Sequence, residues 1–105
     1  MFRRAPVVEL SDEGVRRRTG RGETEEVRWT ELIAVEVVTT DDGPAAEDVF
    51  FVLHGSAGGC VVPQGQMPEG LLERLQALPG FDNEVLIEAM ASVDHATFTC
   101  WTGRS

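Results

Sequence analysis

The sequence predicts an α+β domain: a curved antiparallel sheet or partly open barrel of about six strands, packed by two C-terminal helices and a closing strand. Three observations predict it. Residues 29–64 hold three β-type runs in series, separated by turn signals. Leu71, Leu72, Leu75 and Leu78 then recur at i, i+1, i+4 and i+7, the spacing of one helix face. Ala96 to Trp101 returns to alternation with a period of two. At 105 residues the chain is a single domain, residues 1–105, long enough for one core and too short for two.

Val7–Leu10 reads as a short strand, Ser11-Asp12-Glu13-Gly14 as its turn and Val15–Thr19 as the return strand. Gly20–Glu23 is a second turn. Glu25–Trp29 ends in polar–apolar alternation, and Thr30-Glu31 is a bulge or tight corner before Leu32. From Ile33 to Thr39 β-branched residues dominate, and the odd positions Ile33, Val35, Val37 and Thr39 form one buried face. Asp41-Asp42-Gly43-Pro44 cannot continue a ladder and must turn. Val49–Leu53 is apolar throughout, as expected of a central strand covered on both faces. His54–Gly59 is a glycine-rich hairpin loop, after which Cys60-Val61-Val62 returns along Val49–Leu53 until Pro63 ends it.

Helical periodicity starts after Pro68. The leucine stripe faces the sheet, and Pro79-Gly80 stops that helix. Asp82 is placed to cap a second helix, with Glu84 favoured in its first turn by the helix dipole. Val85, Leu86, Ala89, Met90 and Val93 make its apolar face. The closing strand Ala96–Trp101 follows.

Composition narrows the function classes. Hydrophobic residues are 42% and charged residues 26%, as in ordinary globular domains. No apolar run approaches the roughly 18 residues that span a bilayer. Arg3 and Arg4 precede no apolar h-region, so the N-terminus is not a secretory signal, and a cytoplasmic location is expected. The net charge is −9, unevenly placed. Residues 1–28 hold seven arginines and six acids, whereas residues 29–105 hold two arginines and twelve acids. Such a surface repels nucleic acid and anionic lipid and attracts basic proteins.

No residue set assembles a catalytic centre, so no enzymatic activity and no cofactor are expected. Cys60 and Cys100 lie in apolar strand settings and read as buried free thiols acting as small hydrophobes. His54 and His95 share no metal-ligand spacing with them, so no metal site is expected. The His54–Gly59 loop lacks the Gly-Lys-Ser/Thr ending of a phosphate loop, and Ser56 sits in no nucleophile elbow. Asp94-His95 occupies a helix-to-strand loop without a partner nucleophile. Arg16-Arg17-Arg18 with Arg21 is the sharpest basic cluster. Arginine forks suit phosphate, yet neighbouring strand residues face opposite sides, so only Arg16 and Arg18 share a face. Glu13, Glu23, Glu25 and Glu26 are close enough in sequence to pair with them. The candidate partner-binding residues are Asp41, Asp42, Glu47 and Asp48, four carboxylates around one turn that suit a basic protein surface.

The hairpin Val7–Thr19, the V-R-W-T-E-L corner at Val27–Leu32 and the strands capped by a leucine-striped helix resemble small bacterial pleckstrin-homology-like domains. The resemblance spans roughly residues 7–78. It implies a partly opened barrel with a helix plugging one end, used for binding rather than catalysis. In the phosphoinositide-binding relatives of such a fold the first hairpin carries the basic residues. Two departures stand out: Asn83–Trp101 continues where such a domain ends, and the strands before the helix are too few for a seven-stranded barrel. Leu71–Glu84 resembles the signature of a bacterial family of unknown role. A small binding or regulatory module is the expected function. The alternative is an immunity-type inhibitor whose acidic surface masks a basic toxin.

Overall fold

Seven strands and two α-helices form in a computed structural model that describes residues 7–18, 22–40 and 49–103. The first sheet is β1 (Val7–Leu10), β2 (Gly14–Arg18) and β3 (Thr24–Arg28), all antiparallel. Ser11 makes the first turn. Its Oγ accepts the N–H groups of Glu13 and Gly14, and its own N–H donates to the Gly14 carbonyl at 2.9 Å. Alternation gives this sheet two different faces. Leu10, Val15 and Val27 are in register on the inward side, while Glu9, Arg16 and Glu26 are in register on the outward side.

A 3₁₀ turn, Trp29–Glu31, makes the corner expected at Thr30-Glu31 and delivers the chain to the second sheet. That sheet consists of β4 (Leu32–Thr39), β5 (Val49–Gly55), β6 (Gly58–Pro63) and β7 (Ala96–Thr102), ordered β6-β5-β4-β7 and antiparallel throughout. The seven strands therefore form two sheets, of three and four strands, and are not closed into a barrel. Glu25 on β3 bridges to β6 by accepting the Val61 N–H at 3.0 Å. In the β5–β6 pair Val61 lies opposite Val52, where its N–H points away from β5, so this carboxylate occupies an edge that would otherwise accept another strand.

The helices are α1 (Leu71–Gln76) and α2 (Asn83–Ala91). Asp82 caps α2 as expected, its Oδ1 accepting the Val85 N–H at 3.1 Å. Leu71, Leu75, Leu86 and Ala89 join Val15, Val27, Val35, Val37, Phe51, Leu53, Cys60, Val62 and Cys100 in one core. Thr39, a buried polar residue, donates its hydroxyl to the Asp94 carbonyl at 2.6 Å and so ties β4 to the α2–β7 loop. No helix among the described residues is long and apolar enough to cross a membrane.

Five expectations need correction. Ile33 is 40% exposed while Leu32 is buried, because a register shift between Leu32 and Ala34 resets the alternation. β5 is central but covered on one face: Phe51 and Leu53 are buried, whereas Val49, Phe50 and Val52 are only half-buried. The glycine-rich loop is shorter than it looked, since pairing runs to Gly55↔Gly58 and leaves Ser56-Ala57 as the turn. α1 ends at Gln76, before Pro79-Gly80, so Leu78 lies beyond the helix although it still packs on the core. Val93 lies past the end of α2 and is 80% exposed, so it belongs to no buried face.

Candidate binding groove

α1 and α2 do not close over the sheet between them. A groove of about 180 Å³ remains, lined by Phe51, Gln64, Met67, Leu72, Leu86 and Met90. Each wall follows from local structure. Leu71 and Leu75 sit one turn apart and anchor α1 in the core, which turns Leu72 to one flank. Leu86 and Ala89 anchor α2, which places Met90 at the shoulder and Ile87 further out. Phe51 points inward from β5 and forms the floor. Gln76 Nε2 donates to Asn83 Oδ1 at 2.9 Å, so a polar tie joins the helices beside the groove. Met90 is 42% exposed and Ile87 67%, so apolar surface continues from the groove onto the outside of α2. The volume is below the roughly 300 Å³ at which small-molecule pockets begin. It suits the side chains of a partner rather than a whole cofactor.

A larger cleft, about 450 Å³, lies between β3 and the β5–β6 turn, lined by Thr24, Glu25, Glu26, Arg28, Glu31, Ala57, Gly58 and Gly59. It is open and polar.

The residues singled out from sequence fall in several places. Asp41, Asp42, Glu47 and Asp48 lie outside the described residues. Arg16 and Arg18 do share the outward face of β2, but Arg16 stands between Glu9 and Glu26, with Arg16 Nε 4.0 Å from Glu26 Oε2. Arg17 points inward and pairs with Glu25 at 3.3 Å. Arg16 and Arg17 thus face carboxylates, and Arg21 lies outside the described residues.

His54 is on β5 rather than in a loop. Its Nε2 lies 2.8 Å from Glu36 Oε1, and Thr99 Oγ1 donates to the other oxygen of the same carboxylate at 3.3 Å. This cluster sits on the outward face of the four-stranded sheet among half-buried Ala34, Val38, Phe50, Val52 and Val61. The Thr99 hydroxyl bonds the carboxylate, so it is not poised as a nucleophile for the imidazole. Ser56 is exposed, and its N–H holds the Glu31 carbonyl at 2.8 Å. Asp94 acts through its backbone carbonyl on Thr39, and His95 is exposed.

Cys60 and Cys100 are free and buried. Burial raises both thiols from the ordinary 9.0 to about 11, with the Glu25 carboxylate adding to the shift at Cys60 and Asp82 at Cys100. Among the described residues no group of three or more His, Cys, Asp or Glu side chains is placed to hold a metal ion.

The groove residues were read from sequence as core or passed over. One signal could have found them. α2 carries Val85, Leu86, Ile87, Ala89, Met90 and Ala91 within nine residues, an apolar surface wider than one sheet face can cover. No family model matches the chain, and neither a curated protein nor a solved structure matches it.

Proposed function

We propose that this chain is a small non-enzymatic binding module that receives apolar side chains of a protein partner in the α1–α2 groove. The exposure of Met90 and Ile87 beside an otherwise apolar groove carries this reading. Each is already partly covered, so completing their burial would be favourable by about 1–2 kcal/mol per side chain, and no described residue supplies it. Methionine is unbranched and polarisable, so Met67 and Met90 can repack around different side chains. The polar clusters support the same reading: His54, Arg17 and Thr39 are all engaged in contacts within the fold.

As a finer assignment we propose a variant of the pleckstrin-homology-like scaffold, supported by two antiparallel sheets that approach along β3 and β6 with α1 filling the space between them. Two buried free thiols suit a reducing, cytoplasmic setting. An immunity-type inhibitor is the second reading. It is favoured by the acidic charge of residues 29–105 and differs in requiring that the partner be a toxin.

A neutral solvent-sensitive dye tests the groove. The folded protein should brighten the dye, and Met90→Glu should abolish the effect without lowering the urea midpoint. Brightening that is absent, or unchanged in Met90→Glu, would remove the groove as a binding site.

A further inference from the structure

We infer that the free edge of β3 accepts an extended segment of another protein as an added antiparallel strand. The site is the cleft between β3 and the β5–β6 turn, which shares no residue with the α1–α2 groove.

Two hydrogen bonds fix which backbone groups of β3 are free. The Trp29 N–H donates to the Glu13 carbonyl at 2.9 Å, so Trp29 faces β2. The Ser11 N–H donates to the Gly14 carbonyl, so Gly14, the partner of Arg28 in register, faces β1. Backbone direction alternates along an antiparallel strand. Val27 and Glu25 therefore bond β2, while the N–H and C=O groups of Thr24, Glu26 and Arg28 point away from it. Among the described residues no strand pairs with that side of β3, and no backbone hydrogen bond takes those groups. The other edges are less open. β1 has four residues, Glu25 accepts the Val61 N–H on β6, and the Asp82 N–H donates to the Cys100 carbonyl on β7 at 2.8 Å.

Shape and charge decide the occupant. The cleft measures about 450 Å³, and its lining includes Gly58 and Gly59, whose lack of side chains lets another backbone approach. A strand edge pairs with extended backbone, whereas a helix bonds its own N–H and C=O groups internally. Glu26 and Arg28 are exposed on the outward face, and Glu26 faces Arg16 at 4.0 Å, a loose surface pair. In an antiparallel partner the residue opposite Arg28 comes two before the residue opposite Glu26. A glutamate, one further residue, then a lysine or arginine therefore match both charges. The residue between them turns its side chain inward, over the glycines, and is small. β3 itself reads Glu26-Val27-Arg28, so a second copy matches in charge. It does not match in shape. The two-fold axis of an antiparallel pair stands perpendicular to the sheet, so the copy's four-stranded sheet would enter the inward side, where β6 already lies against Glu25.

The test uses the full chain and labelled peptides of about ten residues, long enough to cover the five residues of β3 with frayed ends. Their flanks are threonine and their centres are Glu-Ala-Lys, Lys-Ala-Glu or Glu-Leu-Lys. By fluorescence anisotropy Glu-Ala-Lys should bind about tenfold tighter than Lys-Ala-Glu, since both cross-strand charge pairs change sign. Raising the salt should shrink that preference. Glu-Leu-Lys should bind more weakly than Glu-Ala-Lys. N-methylation of the glutamate and lysine, whose N–H groups face β3, should abolish binding, and N-methylation of the alanine should not. The Glu26 and Arg28 amides should exchange fast in the free protein and slowly with Glu-Ala-Lys bound, with Val27 protected in both. Glu26→Lys combined with Arg28→Glu should reverse the peptide preference.

Binding by none of the peptides, or a wild-type preference for Lys-Ala-Glu, overturns the proposal and leaves the α1–α2 groove untouched. Equal loss from the two N-methylated forms overturns strand pairing. Equal affinity for the two charge orders, with no reversal in the double variant, overturns the charge match. Slow exchange of Glu26 and Arg28 without peptide overturns it by showing the edge already occupied, by the chain itself if dilution changes nothing and by a second copy if dilution restores fast exchange.

Discussion

Replacing Glu25 with alanine removes a hydrogen-bonded link between the two sheets. One carboxylate oxygen of Glu25 accepts the Val61 N–H at 3.0 Å and faces Arg17 Nη1 at 3.3 Å. The Arg17 side chain is 19% exposed and that of Glu25 33%. Truncation leaves the part-buried Val61 amide without its acceptor, a loss of about 1–3 kcal/mol. It also strips the counter-ion from an inward-facing guanidinium whose Nε has no hydrogen-bond partner among the described residues. Breaking a fully buried pair in this way costs about 3–5 kcal/mol, and the residual exposure here reduces that to about 1–2 kcal/mol. The sum is about 3 kcal/mol, a large share of the 5–15 kcal/mol typical of a domain.

Urea unfolding followed by the fluorescence of Trp29 and Trp101 should show the midpoint falling by about 1.5 M, at a slope near 2 kcal/mol/M. Glu25→Gln keeps an acceptor for Val61 and loses only the charge, so it should fall between wild type and alanine. Arg17→Met combined with Glu25→Ala should lose about 1 kcal/mol less than the two single changes added together, because each single change strands the other partner. Glu25→Ala within about 0.5 kcal/mol of wild type would refute the claim that this carboxylate holds β3 to β6.

Four further outcomes are expected. Leu75→Ala should cost about 2–5 kcal/mol in the same unfolding assay, because Leu75 is fully buried and anchors a six-residue helix that has little stability of its own. Asp82→Ala should cost about 1 kcal/mol through loss of the α2 cap, and Asp82→Asn should restore most of it. Gly14→Ala should cost about 3 kcal/mol or more, because a Cβ there would stand 2.1 Å from the Val27 carbonyl oxygen, part of a paired backbone that cannot swing aside.

The fourth concerns pH. Cys60 and Cys100 should react slowly with a thiol reagent in the folded protein and quickly in denaturant. Their folded-state values of about 11 exceed the ordinary 9.0, so the unfolded chain ionises first. Stability should therefore be complete below about pH 9 and decline as the pH rises toward 11, by about 1.4 kcal/mol per thiol for each unit in that window. Cys60→Ala should flatten the decline, and an identical slope would show that the thiol is not responsible.

Local chemistry fixed the elements. Period-two alternation, Ser11 and Gly14 in the first turn, the leucine spacing and the Asp82 cap each act within a few residues, so strands, turns and helices could be placed from sequence to within a residue or two. The hairpin arginines were legible for the same reason: Arg16 and Glu26, and Arg17 and Glu25, are cross-strand neighbours once the hairpin is assumed. Val35, Val37 and Thr39 are buried as their alternation predicts, but the outward turn of Ile33 was not legible, because the bulge between Leu32 and Ala34 depends on what the neighbouring strand offers.

What only the tertiary structure decided is where one element ends against another that is distant in the chain. That β3 and β6, on different sheets, are joined by Glu25 meeting Val61 is a contact between residues thirty-six apart in the chain. That Met90 and Ile87 remain uncovered while Leu86 and Ala89 are buried depends on the gap between α1 and α2 above Phe51. Periodicity tells an apolar residue which side of its own helix it occupies. Whether a neighbour covers that side is set by long-range packing, and a groove is a place where such cover is missing.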